Sequence, residues 1–216
     1  MTKKILSIVI AGLFSLNAIA DEGMWLPQLL KVMNESDMQA NGLQLTAEDL
    51  YSVNNSSLKD AIVSLGFCTG EMISSEGLML TNHHCAFGSI QEHSSVSKDY
   101  IKDGFWAMNR EEELRNEGLT ASFLVSIENI STRIISELNT DMTEKERSAK
   151  IREVSKKIVN EVTKGTHYNA RVKSFFGGND FYIMKYETFK DVRLVGAPPS
   201  AIGKFGGDTD NWMWPR

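Results

Sequence analysis

The chain has 216 residues, 23 Lys and Arg against 28 Asp and Glu, a net charge of −5, and only two cysteines. That length suits one domain of ordinary size, and the acidic balance argues against nucleic acid or an anionic membrane as partner. No apolar stretch approaches the length of a membrane-spanning helix.

The chain opens Met1-Thr2-Lys3-Lys4, runs through apolar Ile5 to Leu16, and reaches Ala18-Ile19-Ala20 before Asp21-Glu22. A basic start, a short apolar run and an A-x-A site read as a secretory signal peptide over residues 1–20, with cleavage expected after Ala20. Cleavage removes two lysines and no acid, so residues 21–216 carry a net charge of −7. Export implies an oxidising compartment, in which pairing of the two cysteines is chemically expected.

Apolar spacing predicts a short helix from about Pro27, since proline is tolerated in a first turn. Thr46-Ala47-Glu48-Asp49 is a capping-box pattern that opens a second short helix. From Ala61 to Leu80 the pattern turns β-like, punctuated by Gly66, Gly70 and Gly77, with Ser74-Ser75-Glu76-Gly77 as a hairpin turn. Phe87 to Arg115 reads as polar and irregular, and Ser122 to Ile127 as a strand. Thr143-Glu144-Lys145-Glu146 is another capping box, followed by Ile151, Val154, Ile158 and Val162 on one helix face and by Gly165 beyond its end. The charged opposite face reads as solvated. Gly177-Gly178-Asn179-Asp180 turns into a strand over Phe181 to Tyr186, and Val192 to Val195 is a further strand. No repeat or low-complexity segment is present.

The chemistry concentrates at two places. The first is Gly66-Phe67-Cys68-Thr69-Gly70 followed by Thr81-Asn82-His83-His84-Cys85, which sets a histidine against one cysteine with the other 17 positions earlier. A histidine that takes a proton from a hydroxyl must be held rigidly within hydrogen-bond reach, and a disulfide beside it supplies that support. The same residues also read as a metal cluster or as a buried turn. The metal reading is the weaker, because consecutive residues seldom all reach one ion and no C-x-x-C or H-x-x-x-H spacing occurs. The second place is Gly206-Gly207-Asp208-Thr209-Asp210-Asn211-Trp212-Met213-Trp214-Pro215-Arg216. Two carboxylates, an amide and two indoles in one glycine-led loop suit a cleft that accepts an ammonium group. A buried aromatic turn with acidic caps is the plainer reading of that loop.

The first block resembles the trypsin-like serine peptidases, in which F-C-x-G, an apolar strand and T-A-A-H-C occur in this order. That match favours His84, directly before the cysteine, over His83. Together with Asp21-Glu22-Gly23-Met24-Trp25 and the closing Asp210-Asn211-Trp212-Met213-Trp214-Pro215-Arg216, the blocks resemble bacterial serine dipeptidyl-peptidases of the peptidase 7 and peptidase 11 kind, from about Asp21 to the last residue.

The resemblance implies a mainly β fold with helical insertions, a chymotrypsin-like double β-barrel of which residues 21–216 hold the first part. It makes His84 the general base, Cys68–Cys85 the supporting disulfide, and Asn211 and Trp212 part of the anchor for a substrate's free α-amino group. The implied substrates are peptides with a free amino terminus, in the periplasm or at the surface of a bacterium, and a homodimer is a family expectation. No cofactor and no metal are implied, since acyl transfer by a serine needs neither.

The chain departs from the family pattern in length. The family is about three times longer, and its triad aspartate and its serine lie beyond the position of Arg216. No G-x-S-x-G occurs, and Asp208 and Asp210 read as loop or cleft residues, so the chain resembles an amino-terminal fragment with one triad member. The alternative from a different class is a non-catalytic exported peptide-binding domain on the same scaffold.

Overall fold

The computed structural model describes residues 25–203, so the signal-peptide reading of residues 1–20 and the loop holding Asn211 and Trp212 lie outside the described residues. The chain divides into two compact units, residues 1–47 and 48–216.

In the first unit, Pro27–Leu29 form a single 3-10 turn with proline at its start, where the missing N–H costs nothing. Two short helices follow, α1 (Leu30–Met33) and α2 (Glu35–Ala40). Glu35 Oε1 accepts a 2.7 Å hydrogen bond from the Ala47 N–H, which closes the intervening loop. Helix α3 (Ala47–Leu50) begins where the capping-box pattern placed it.

The second unit is organised by one antiparallel sheet. Strands β1 (Ile62–Ser64) and β2 (Thr69–Met72) form a hairpin, and β3 (Met79–Thr81) pairs with β2. Gly66 (φ +89°) and Gly77 (φ +91°) adopt left-handed conformations in the two connections, which is why glycine stands there. The turn at Ser74–Gly77 is as expected from sequence: Ser74 Oγ accepts from the N–H groups of Glu76 and Leu78.

The stretch after β3 differs from its polar, irregular reading. Helix α4 spans His83–His93, followed by the single-turn helix α5 (Tyr100–Asp103) and two-residue strands β4 (Phe105–Trp106) and β5 (Leu114–Arg115). What holds α4 is tertiary. Ile90, 1% exposed, anchors a cluster with Leu194 and Ala197, against which Ala86, Tyr100, Ile101, Phe105 and Leu114 pack. At its far end His93 Nε2 lies 3.1 Å from the Oδ1 of buried Asn116.

Strand β6 (Ala121–Asn129) is followed by α6 (Ser131–Ile135) and by the 20-residue α7 (Glu144–Thr163). Strands β7 (Asn169–Phe175) and β8 (Asp180–Phe189) form a second hairpin, and two short strands, β9 (Arg193–Leu194) and β10 (Gly196–Ala197), lead into α8 (Ser200–Gly203). The main sheet has the order β3-β2-β1-β6-β8-β7, while β4 pairs with β10 and β5 with β9. Among the described residues the sheet is open, with β3 and β7 at its edges, so the architecture is mixed helix and sheet without a closed barrel.

Helix α7 covers the β7–β8 end. Val154 and Ile158 point inward to Ile130, Ile134, Phe181 and Ile183, with Ile151 and Val162 packed around them. Its start is the reciprocal capping box foreseen from sequence: the Thr143 N–H and hydroxyl donate to Glu146 Oε2 at 2.9 and 2.7 Å, and the Glu146 N–H returns to Thr143 Oγ1.

Ile158 is 2% exposed, so Ile158→Ala removes a buried side chain and leaves a cavity; unfolding in denaturant is expected to show a loss of about 2–5 kcal/mol. The Thr143 hydroxyl, with the Thr143 N–H, holds the Glu146 carboxyl below its ordinary value. A carboxylate lowered in the folded state stabilises above its unfolded pKa of about 4.3 and stops doing so as pH falls through the folded value. The difference in melting temperature between the wild type and Glu146→Gln is therefore expected at pH 7 and to close in acid; a difference that does not change with pH would exclude the charged cap.

Candidate active site

His84 is fixed from both sides along the chain. On its amino-terminal side β3 is laddered to β2, and the Thr81 hydroxyl donates to the Thr69 carbonyl at 2.8 Å. Asn82 then turns the chain out of the strand (φ −69°, ψ 147°), and its carbonyl accepts from the N–H of Cys85. On the other side Cys85 is bonded to Cys68, with the two α-carbons 6.0 Å apart. Cys68 is itself seated: its carbonyl accepts from the Leu65 N–H, and its side chain packs on the buried cluster of Val63, Leu65 and Ala121. The first turn of α4 is thereby tied covalently to the β1–β2 hairpin.

The two adjacent histidines have opposite environments, as a helix requires of consecutive positions, whose side chains point about 100° apart. His84 is exposed. His83 turns inward: its ring meets Phe87 edge-on at 6.0 Å between centroids, and both ring nitrogens are buried with no hydrogen-bond partner among the described residues. Gly203 lies directly against that ring, since a β-carbon there would fall 2.3 Å from Nδ1. No local pattern signals the inward packing of His83, because its neighbour Gly203 stands 120 positions away. His84 is thus the imidazole that a group arriving from solvent can meet.

His84, Cys68 and Cys85 also form a compact trio, with one ring nitrogen and the two sulfurs all within 4.8 Å of one another. With the sulfurs joined, the trio is a histidine beside a disulfide and offers no thiolate to an ion. Of the residues singled out in the sequence, the structure brings together His84, Cys68 and Cys85, while Asn211 and Trp212 lie outside the described residues.

Comparison with known proteins gives this geometry a family context. The family model described as Peptidase S46 matches residues 20–216. The chain is 48% identical over 219 residues to dipeptidyl-peptidase 7 of Capnocytophaga gingivalis, covering 100% of this chain and 31% of that protein. It is 51% identical over 195 residues to the Asp/Glu-specific dipeptidyl-peptidase of Flavobacterium psychrophilum, covering 90% of this chain and 27% of the relative. Among solved structures, Porphyromonas endodontalis DPP11 in complex with the dipeptide Arg-Asp superposes with a TM-score of 0.78 at 42% identity, over 91% of this chain and 29% of the other. The chain spans about a third or less of the length of these relatives and aligns with them nearly throughout. It belongs to the peptidase S46 family.

Proposed function

We propose that this chain is the amino-terminal part of an exported serine dipeptidyl-peptidase, which releases dipeptides from the free amino termini of peptides. One observation carries the reading: in a chain of this family, His84 is exposed at the first turn of α4 and braced by the Cys68–Cys85 disulfide. The sheet of the second unit contributes to the first barrel of a chymotrypsin-like pair. Residues 1–20 are removed on export, and a disulfide among the described residues accords with an oxidising compartment.

In this reading His84 takes the proton of a serine hydroxyl supplied by the remainder of the enzyme as that oxygen attacks the second peptide bond of the substrate. The imidazolium then returns the proton to the departing amine, leaving a dipeptidyl ester on the serine. Water, deprotonated by the same imidazole, releases the dipeptide. An enzyme cutting two residues from an end needs a wall that recognises the α-ammonium group. Asn211 supplies a carbonyl oxygen and Trp212 an aromatic face suited to that cation.

The test is hydrolysis by the complete gene product of dipeptidyl fluorogenic substrates with free and with blocked amino termini, beside His84→Ala and His83→Phe. Only the free substrates are expected to be cleaved, and His84→Ala is expected to lower kcat by roughly 10³-fold or more. Loss of activity in His83→Phe with retention in His84→Ala would overturn the assignment of the base. No hydrolysis by the folded, complete protein would overturn the enzyme reading and favour a peptide-binding domain.

A further inference from the structure

Residues 196–203, from the start of β10 to the end of α8, are tied to the helix that carries the candidate base, and they lead into the loop read as the ammonium anchor. Asn211 stands eight positions after Gly203. Three close approaches fix this segment, each made where a glycine lacks a β-carbon. Such a carbon would fall 2.5 Å from the Trp106 ring at Gly196, 2.9 Å from the Ala197 carbonyl oxygen and Pro199 Cδ at Gly104, and 2.3 Å from His83 Nδ1 at Gly203. Backbone bonds complete the hold: β10 pairs with β4, the Ala107 N–H donates to the Val195 carbonyl at 2.9 Å, and the Pro199 carbonyl accepts from the N–H groups of Ile202 and Gly203. Two of the attachments are to α4. Ala197, 2% exposed, shares a cluster with Ile90, and Gly203 lies on His83, seven positions back along that helix. Seven residues make about two turns, or roughly 10 Å of rise, so the segment follows α4 at two separate points. The contact at His83 is one of flat packing, since both its ring nitrogens are buried with no hydrogen-bond partner among the described residues.

We propose that His83 is a positioning residue: its ring, set against Gly203, fixes the distance between the base at His84 and the loop holding Asn211 and Trp212. The proposal rests on the peptidase reading, which makes those two loop residues the anchor. An enzyme that removes dipeptides holds the α-ammonium group a fixed two residues from the bond its base serves, and a displacement of about 1 Å in such an arrangement costs roughly 10²-fold in rate. Here the base and the stem of the anchor loop meet through adjacent residues of one helical turn, His84 facing solvent and His83 facing α8. Close-packed groups pass a displacement on to their neighbours, so a change at the His83 ring is felt at the stem. His83 touches no substrate in this reading; it acts through the segment it holds.

The experiment uses the complete gene product and its His83→Ala, Gly203→Ala and doubly substituted variants. Each is measured for kcat and KM on dipeptidyl fluorogenic substrates with a free amino terminus and an acidic or apolar second residue. Each is also labelled with a fluorophosphonate, which needs the serine and its base but carries no ammonium group. His83→Ala is expected to raise KM about tenfold and to leave the labelling rate within about threefold of wild type, because the anchor loosens while the base keeps its place. A merely structural role lowers the active fraction, and with it kcat and the extent of labelling, at unchanged KM; that result would overturn the proposal. Gly203→Ala brings a β-carbon against the ring and is expected to raise KM likewise. His83→Ala vacates the room that carbon needs, so the double variant is expected to match His83→Ala, and effects that multiply would overturn the contact. Where thermal melts show His83→Ala unfolded, Gly203→Ala decides alone, an unchanged KM overturning the proposal. Failure of the peptidase reading shows separately, as a folded wild type that neither hydrolyses nor is labelled. Calorimetric binding of the dipeptides Val-Glu and Val-Phe then replaces KM: roughly tenfold weaker binding by His83→Ala supports the positioning role. Equal binding by the two proteins, or none by the wild type, overturns it.

Discussion

The bond between Cys68 and Cys85 is the constraint on which the geometry around His84 depends. It joins the turn of the first hairpin to the first turn of α4, two segments that backbone pairing alone leaves connected only through β3. That strand is three residues long and lies at the edge of the sheet, so its ladder is a weak fixture by itself. Ile90, two turns further along α4, fixes the helix axis in the Leu194 and Ala197 cluster. The axis and the disulfide together set the rotation of the helix about itself, and that rotation decides which of two adjacent histidines faces solvent.

The two ends of the sheet are stabilised by different means. At the β7–β8 end α7 buries a contiguous cluster of six residues, widened by partly buried Leu138, Val159, Ala170 and Val172 among others. At the β1–β3 end the buried cluster among the described residues is Val63, Leu65 and Ala121, with Cys68, Met72, Met79, Phe123 and Val192 partly buried around it, while Ile62, Phe67, Leu78 and Leu80 are exposed. Apolar burial contributes in proportion to the area removed from water, so the second end gains much less from it. A disulfide closing a loop of this size is worth roughly 3 kcal/mol in the chain-entropy model, a large share of what holds a small three-strand region. The covalent link thus stands at a sheet end whose buried apolar cluster is small.

What the sequence made legible follows the same division. Features written in local chemistry were readable: the left-handed glycines of the hairpins, the Thr143–Glu146 capping box, the apolar stripe of α7, and the His-Cys block that singled out His84 and the disulfide. Helix α4 was not readable beyond its first turn, because Ala86 and Ile90 are its main apolar contacts and Ser89, Gln91 and Glu92 make the rest look like loop. Strand β7 escaped for a related reason. Asn169, Arg171 and Lys173 are exposed on an edge strand, which hides the alternation beneath polar side chains. The orientation of His83 required knowing that Gly203 would lie against its ring, a contact between distant positions that no local pattern encodes.

The two adjacent histidines differ in what each can meet. His83 has both ring nitrogens buried, with no hydrogen-bond partner among the described residues. His84 is exposed. A general base must come within hydrogen-bond reach of the proton it takes, and of the two neighbours the exposed one is open to a group arriving from solvent. The covalent tie at Cys85 limits the motion of that exposed neighbour, while the inward ring of His83, wedged between Phe87 and Gly203, packs the underside of the same helical turn.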